Sequence, residues 1–401
     1  MPPSTPAAQP HRRILHDIAD RAMRERGLLP DFSPTVLAEV ERLDASPDRT
    51  AGVTDLTALP WCSIDNDSSR DLDQLTVAET RPDGIVRLRV AVADVDHLVP
   101  HGSALDAHAR QNTTSVYTAA AVFPMLPERL STDLTSLNPQ QDRLAMVVVM
   151  DVDGEGAVHG VEIARARVRN HAKLAYNSVA AWLEGDGPMP AAIGGVTGLA
   201  ENIRLQDAVA QRLRRRRQAN GALSFETVRA RPVFDGDRLQ DLGEDRKNRA
   251  TELIEDFMIA ANGATARFLA AKRFPSLRRV VRSPRRWERI VELALEHGRS
   301  LPSAPDSVAL DAFLASARTA DPERFVDLSL SVIKLLGAGE YVAELPGATP
   351  SGHFGLAVKD YTHSTAPNRR YPDLVTQRLL KAAIGGAAAP YSFAELEALA
   401  A

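Results

Sequence analysis

Between Trp61 and Val168 the chain has the texture of strands, and beyond Lys173 it turns mainly helical; this change constrains the fold more than any other feature. Val86, Leu88, Val90 and Val92 alternate with Arg87, Arg89 and Ala91, the period-two pattern of a half-buried strand. Leu144 to Val152 is an apolar run long enough for a buried strand. Asp153-Gly154-Glu155-Gly156 supplies turn residues, and Val161 to Val168 reads as the returning strand. Helical spacing follows over 199–219, closed by Asn220-Gly221, and over 249–273, where Leu253, Ile254, Phe257, Met258, Ala261, Phe268 and Leu269 fall close to one face. Further helices are predicted at 285–297, 306–317 and 322–336, and a strand over 353–359 precedes a last helix near 372–384. Upstream, 11–28 and 34–48 read as two helices, the first ended by Gly27. The expected fold class is α+β, with a mixed or antiparallel β core surrounded by helices. Its divisions are a disordered Pro/Ala-rich tail (1–10), a helical segment (11–49) and one domain over 50–390.

Composition narrows the setting. The 401 residues are 44% hydrophobic and 25% charged, ordinary for a globular protein and enough for a large core. No stretch approaches about eighteen consecutive apolar residues, so no membrane span is expected, and the N-terminus lacks the apolar core of a secretory signal. Cys62 is the single cysteine, which excludes an internal disulfide and a cysteine-built metal site. A cytoplasmic monomer is the expectation. The net charge of -4 argues, taken alone, against a non-specific nucleic-acid binder. Basic residues are nevertheless clustered, at Arg212 and Arg214 to Arg217, and again at Arg278, Arg279, Arg282, Arg285 and Arg286. Solvated helix faces are the plainer reading of both runs, but a channel needs only local positive potential.

The most informative stretch for chemistry is 63–75, where Asp65, Asp67, Asp71 and Asp73 fall within nine residues. In an extended segment Asp71 and Asp73 point to one face and Leu72 to the other. A short polar loop would let Asp65 fold back beside them. Carboxylates held together repel unless a cation sits among them, and hard oxygen ligands suit magnesium or manganese better than zinc. The alternative is an Asx-rich turn in which Asp65 and Asp67 bond backbone amides. The spacing lacks the central glycine and terminal glutamate of an EF-hand. Spacing alone leaves metal site and turn both open.

Four blocks in order carry a resemblance. Ile64 to Leu75 is similar to the motif I-D-x(5)-D-x-D-D of the ribonuclease II/R exoribonucleases. Tyr361 to Leu374 resembles that family's Y-x-H-x-T-S-P-I-R-R-Y-x-D-L, and Phe123 to Ser131 and Glu252 to Asn262 resemble blocks between them. The resemblance implies an RNB-type catalytic domain acting as a hydrolytic exoribonuclease on single-stranded RNA with a free 3′ end, releasing nucleoside 5′-monophosphates. It implies Asp65, Asp71 and Asp73 as magnesium ligands, with manganese as the other candidate ion, and Asp73 and Arg369 as catalytic residues. A planar guanidinium suits a phosphate whose charge grows in the transition state. Pro372 reads as the first residue of the following helix, which would put Arg369 near an anion-favouring helix N-terminus. Tyr117 and Phe225 match positions that stack on bases. Tyr176 and Glu255 match positions that sense the terminal ribose, where a 2′-hydroxyl distinguishes RNA from DNA. Arg370 joins these as an RNA contact.

The departures are specific. Gln74 stands where many relatives carry a fourth aspartate; its amide oxygen can ligate magnesium but brings no charge. Ala366-Pro367-Asn368 replaces Ser-Pro-Ile. The residues before 50 are too few for the paired cold-shock barrels common in the family. Neither the C-terminal OB-type barrel nor the later helix with a further active-site glutamate is expected here. The competing expectations are a catalytically impaired RNB-fold RNA-binding protein and an unrelated α+β protein whose aspartates form turns.

Overall fold

The computed structural model describes residues 11–44 and 53–401. The tail expected at 1–10, the end of the second expected helix and the boundary near 50 lie outside the described residues. Helix α1 (His11–Glu25) stops before Gly27, whose φ of 73° lets Leu28 N turn back to Met23 O. Helix α2 (Pro34–Glu41) starts at Ser33, whose hydroxyl accepts from Val36 N, with Pro34 in its first turn.

The class is α+β. The main sheet has seven strands: β1 (Thr54–Asp55), β2 (Cys62–Asp65), β3 (Gln74–Thr80), β4 (Val86–Ala93), β7 (Asp142–Val152), β8 (Val158–Arg169) and β9 (Ala172–Ala175), in the order β1-β8-β7-β4-β3-β2-β9. A separate ribbon pairs β5 (Val116–Tyr117) with β6 (Val122–Phe123). Within the main sheet only the edge pairs β1–β8 and β2–β9 are parallel; the centre is antiparallel, with short turns joining β3 to β4 and β7 to β8. The alternation in β4 holds over its first half and gives way to burial on both faces at Ala91 and Ala93. Val86, Leu88, Val90 and Val92 are buried, while Arg87 pairs with Asp151 directly opposite on β7 and Arg89 reaches Glu79 on β3.

Helices α6 (Leu199–Ala219), α7 (Arg249–Ala271) and α11 (Tyr371–Gly385) share one hydrophobic core with this sheet. Polar links fix their register: Thr76 Oγ1 on β3 donates to Gln206 Oε1 on α6 at 2.7 Å. Helices α3 (Ala104–Asn112), α4 (Tyr176–Glu184) and α5 (Ala191–Gly194) occupy the connections. A satellite core around Trp287, Phe313 and Phe325 is built by α8 (Trp287–Glu296), α9 (Ser307–Ala320) and α10 (Pro322–Leu336).

Several expectations need correction. The strand expected over 353–359 is a 3-10 turn at Phe354–Leu356, bridged only through His353 to Val281 and Val358. Left-handed conformations at Gly352 and Ala357 interrupt any extended run, and the His353 ring accepts from Leu356 N. The region past Lys173 also holds strands that its helical texture hid. β10 (Arg229–Asp235) and β11 (Arg238–Asp245) form a hairpin around Gly236-Asp237, a recognised hairpin signal. β12 (Ser276–Val280) pairs with β13 (Glu340–Glu344) across the whole α8–α10 unit, too far apart in sequence for local pattern to reveal. A final helix, α12 (Phe393–Ala400), follows α11 and starts at a Ser392/Glu395 capping box.

The β7–β8 turn has a steric consequence. Asp153 Oδ1 accepts from Glu155 N and Ala157 N, and Gly156 takes a φ of 77°. A Cβ at Gly156 would lie 2.4 Å from the Arg212 carbonyl oxygen of α6. Gly156→Ala therefore destabilises through both strain and displacement of the turn, by about 1–3 kcal/mol. Denaturant unfolding checks this, and an unchanged midpoint would show that the turn does not bear on α6.

Candidate active site

Strand β2 ends at Asp65, paired in parallel register with Ala175 of β9, so Tyr176 at the start of α4 emerges beside it. The loop from 66 to 73 then returns the chain to β3. Its anchor is Leu72, 2% exposed, whose N–H donates to Ser136 Oγ and whose carbonyl accepts from Leu137 N. With Leu72 in the core, the flanking Asp71 and Asp73 turn the other way, as the extended reading requires. Asp65 Oδ1 accepts from Asn66 N at 2.7 Å, so the local turn and the carboxylate cluster coexist.

The second half of the site comes from the far end of the sequence. Asp73 is 3% exposed; its Oδ2 lies 3.3 Å from Arg369 Nε, and its Oδ1 accepts from Asn368 N at 3.4 Å. Residues 366–370 are held on three sides. Ser115 N and Thr114 Oγ1 donate to Arg369 O, Tyr371 N donates to Thr113 O, and Gln74 Nε2 donates to Thr365 O. Tyr371, not Pro372, is the first residue of α11, and Arg370 is its N-cap. Asp373 in the first turn of this helix accepts from Ala366 N and Arg370 Nη2, tying the arginine segment to the helix start.

Electrostatics mark the cluster. Burial raises the Asp73 pKa, Arg369 opposes that only in part and Asp71 adds to it, leaving it at about 7. Burial also raises Asp71, with Arg369 opposing and Asp65 adding repulsion. Burial works against the Arg369 charge, but Asp73 together with Tyr117 and Asp373 outweighs it and the guanidinium lies above its ordinary value. Its terminal nitrogens make no hydrogen bond to a described residue.

Tyr117 and Tyr176 belong to the same cleft. Tyr117 is 57% exposed, yet screening of its hydroxyl from water, followed by the charge of Asp71, pushes its pKa up to about 12. Burial and then Asp65 push the half-buried Tyr176 hydroxyl up as well. Phe225 and Glu255 are placed elsewhere. They line a neighbouring cavity of about 470 Å³ with Arg214, Arg217 and Lys247. Phe225 packs on the satellite core, and Glu255 pairs with Lys247 at 2.6 Å. Arg370 turns to Asp373 at 2.7 Å. Four members of the basic runs are paired: Arg214 and Arg217 with Asp256, Arg278 with Glu344, and Arg282 with Glu340. Sequence reading missed the Thr114–Ser115 clasp and the Gln74–Thr365 tether, which are long-range contacts with no local signature.

Among the described residues no three His, Cys, Asp or Glu side chains converge into a ready cage for a metal. Magnesium does not need one; it commonly takes one or two carboxylates, waters and substrate phosphate. Asp71 and Asp73, crowded and short of positive charge, fit that demand, with Asp65 alongside. The Gln74 amide nitrogen is occupied by Thr365, so only its oxygen remains for a ligand role.

The sheet of this α+β fold thus carries clustered aspartates opposite a loosely tethered arginine. Residues 53–386 match the RNB domain model, and the chain belongs to that family. It is 36% identical over 337 residues to Ribonuclease R of Vibrio parahaemolyticus, covering 82% of this chain and 39% of that protein. It is 35% identical over 335 residues to Ribonuclease R of Escherichia coli K12, covering 82% and 40%. The chain thus spans about two fifths of these relatives. Mycoplasma genitalium RNase R, solved with ribose-methylated single-stranded RNA, superposes with a TM-score of 0.83 at 24% identity, covering 95% of this chain and 59% of that one. That likeness shows the shared fold. Among the described residues no helix is long and apolar enough to cross a membrane.

Proposed function

We propose that this chain carries the catalytic centre of a hydrolytic 3′–5′ exoribonuclease that acts on single-stranded RNA and releases nucleoside 5′-monophosphates. The carrying observation is the juxtaposition of Asp73 with Arg369, 296 positions apart in the chain, beside Asp71. In this reading Asp65, Asp71 and Asp73 hold magnesium or manganese, with Gln74 Oε1 as a neutral fourth donor. The ion, when bound, supplies an activated water and charge stabilisation at the departing oxygen. Arg369 keeps Nε on Asp73 and directs its free terminal nitrogens at the scissile phosphate, where negative charge grows. Tyr117 offers an exposed ring for a base to stack on, with Phe225 as its partner further along the RNA. Tyr176 and Glu255 are assigned to the terminal ribose, and Arg370 supports the RNA path while anchored to Asp373.

Incubation with 5′-labelled single-stranded RNA and magnesium is the direct test. A ladder of shortening products, abolished by EDTA and by Asp71→Asn, is expected. Tight RNA binding without shortening would instead favour an RNA-binding protein without turnover, and neither would refute both.

A further inference from the structure

A second cavity, of about 740 Å³, lies on the other side of the Arg217–Asp256 pair from the one that holds Phe225 and Glu255. Its walls come from α6, α7, the β7–β8 turn and the segment 357–360. The floor is apolar, with Leu213, Ile259, Ala260 and Val358. Arg216, Arg267 and Lys359 stand at its rim, all exposed. None of the three forms an ion pair or side-chain hydrogen bond with a described residue, whereas nearby Arg214, Arg217 and Arg278 are all paired.

Arg216 sits in the last turn of α6, where the helix dipole favours a cation without any ligand. Lys359 has no such explanation, and Arg267 meets only the charge of Asp360, which cannot outweigh its burial. Of the cavity's own carboxylates, Asp256 is committed to Arg214 and Arg217, and Asp360 is shared between Arg278 at 3.6 Å and the charge of Arg267. His159 is engaged by Asp153. Arg217 Nε is buried without a hydrogen-bond partner, so the wall also holds an unmet donor. A negative group against the rim would meet this excess charge, and a flat apolar body would cover the floor. The volume falls within the range of small-ligand sites, on the order of 300–1,000 Å³.

We infer that this cavity binds a nucleoside 5′-monophosphate, with its phosphate on Arg267, Lys359 and Arg216 and its base on Leu213, Ile259 and Val358. The ligand class follows from the cavity's own chemistry; only its identity with the reaction product rests on the proposed function. Occupied by product, the site adjoins the Arg217–Asp256 pair shared with the Phe225 cavity and thereby reports product level to the RNA path.

The test is calorimetric titration of the whole chain with AMP in EDTA, where no turnover occurs. One AMP per chain is expected, with adenosine and inorganic phosphate each roughly tenfold weaker or more. Arg267→Glu with Lys359→Glu should weaken AMP by roughly tenfold or more, and Arg267→Gln with Lys359→Gln by an intermediate factor. Arg369→Ala should leave AMP binding unchanged. The inference is overturned if AMP does not bind, if phosphate binds as well as AMP, or if affinity survives Arg267→Glu with Lys359→Glu. It is equally overturned if binding is lost in Arg369→Ala, which would place AMP at the catalytic aspartates. A chain that binds AMP here but shortens no RNA would retain the site and refute the proposed function alone.

Discussion

Arg369→Lys is expected to lower turnover of RNA by about 10²–10³-fold, the usual effect of removing one preorganised transition-state donor. The substitution keeps the charge, so a loss of this size would come from geometry. A guanidinium can hold Asp73 through Nε at 3.3 Å and still present two terminal nitrogens in a fixed plane. An ammonium is a single point: on Asp73 it leaves the phosphate, and on the phosphate it leaves Asp73 without its arginine partner. The side chain is 40% exposed, so the thermal midpoint should move little. Single-turnover rates at saturating RNA, compared with RNA affinity, separate the effect on chemistry from binding. A rate within about threefold of the parent would reduce Arg369 to an anchor for Asp73, since uniform binding contributes nothing to the chemical step.

Arg378→Leu carries the largest expected loss of stability, about 3–5 kcal/mol. Arg378 is 4% exposed and bonds Asp96, Asp106, the Tyr391 hydroxyl and the Val99 carbonyl at 2.7–2.8 Å. Leucine matches much of the volume but leaves Asp106, also 4% exposed, without its cation. The Tyr371 hydroxyl donates to the same Asp106 oxygen at 3.0 Å, and Tyr371 starts α11 two residues after Arg369. Loss of the network should therefore loosen the site as well as the fold. Denaturant unfolding measures the first effect; a loss below about 1 kcal/mol would show that water readily replaces the guanidinium. The neighbouring Asp96 adds a pH dependence. Burial raises its pKa, but Lys381 and Arg378 outweigh it and the folded value is depressed. Its contribution is present above the ordinary carboxylate range and is lost as pH falls through the folded value.

Much of the fold was legible because burial imposes local periodicity. The β4 alternation, the β7–β8 hairpin and the spans of α6, α7, α8 and α10 follow from patterns a few residues long. The β10–β11 hairpin had a readable Gly-Asp turn that the surrounding helices obscured. The β12–β13 pair had no readable signal, because its partners meet only after three helices intervene. In the site, Leu72 between two aspartates was enough to put Asp71 and Asp73 on one face. The commitment of Gln74 to Thr365, and of Asp373 to Ala366 N, was not legible from residue type.

By itself, then, the sequence determined the α+β class, the carboxylate-bearing loop and the arginine segment, since each depends on residues adjacent in the chain. Only the tertiary structure decided that these segments meet, that Asp73 is buried against Arg369, and that Tyr117 and Tyr176 face the cleft while Phe225 and Glu255 line a neighbouring cavity. Hydrogen bonds need their partners in direct contact, so these depend on how the strands and α11 pack, which no local pattern encodes.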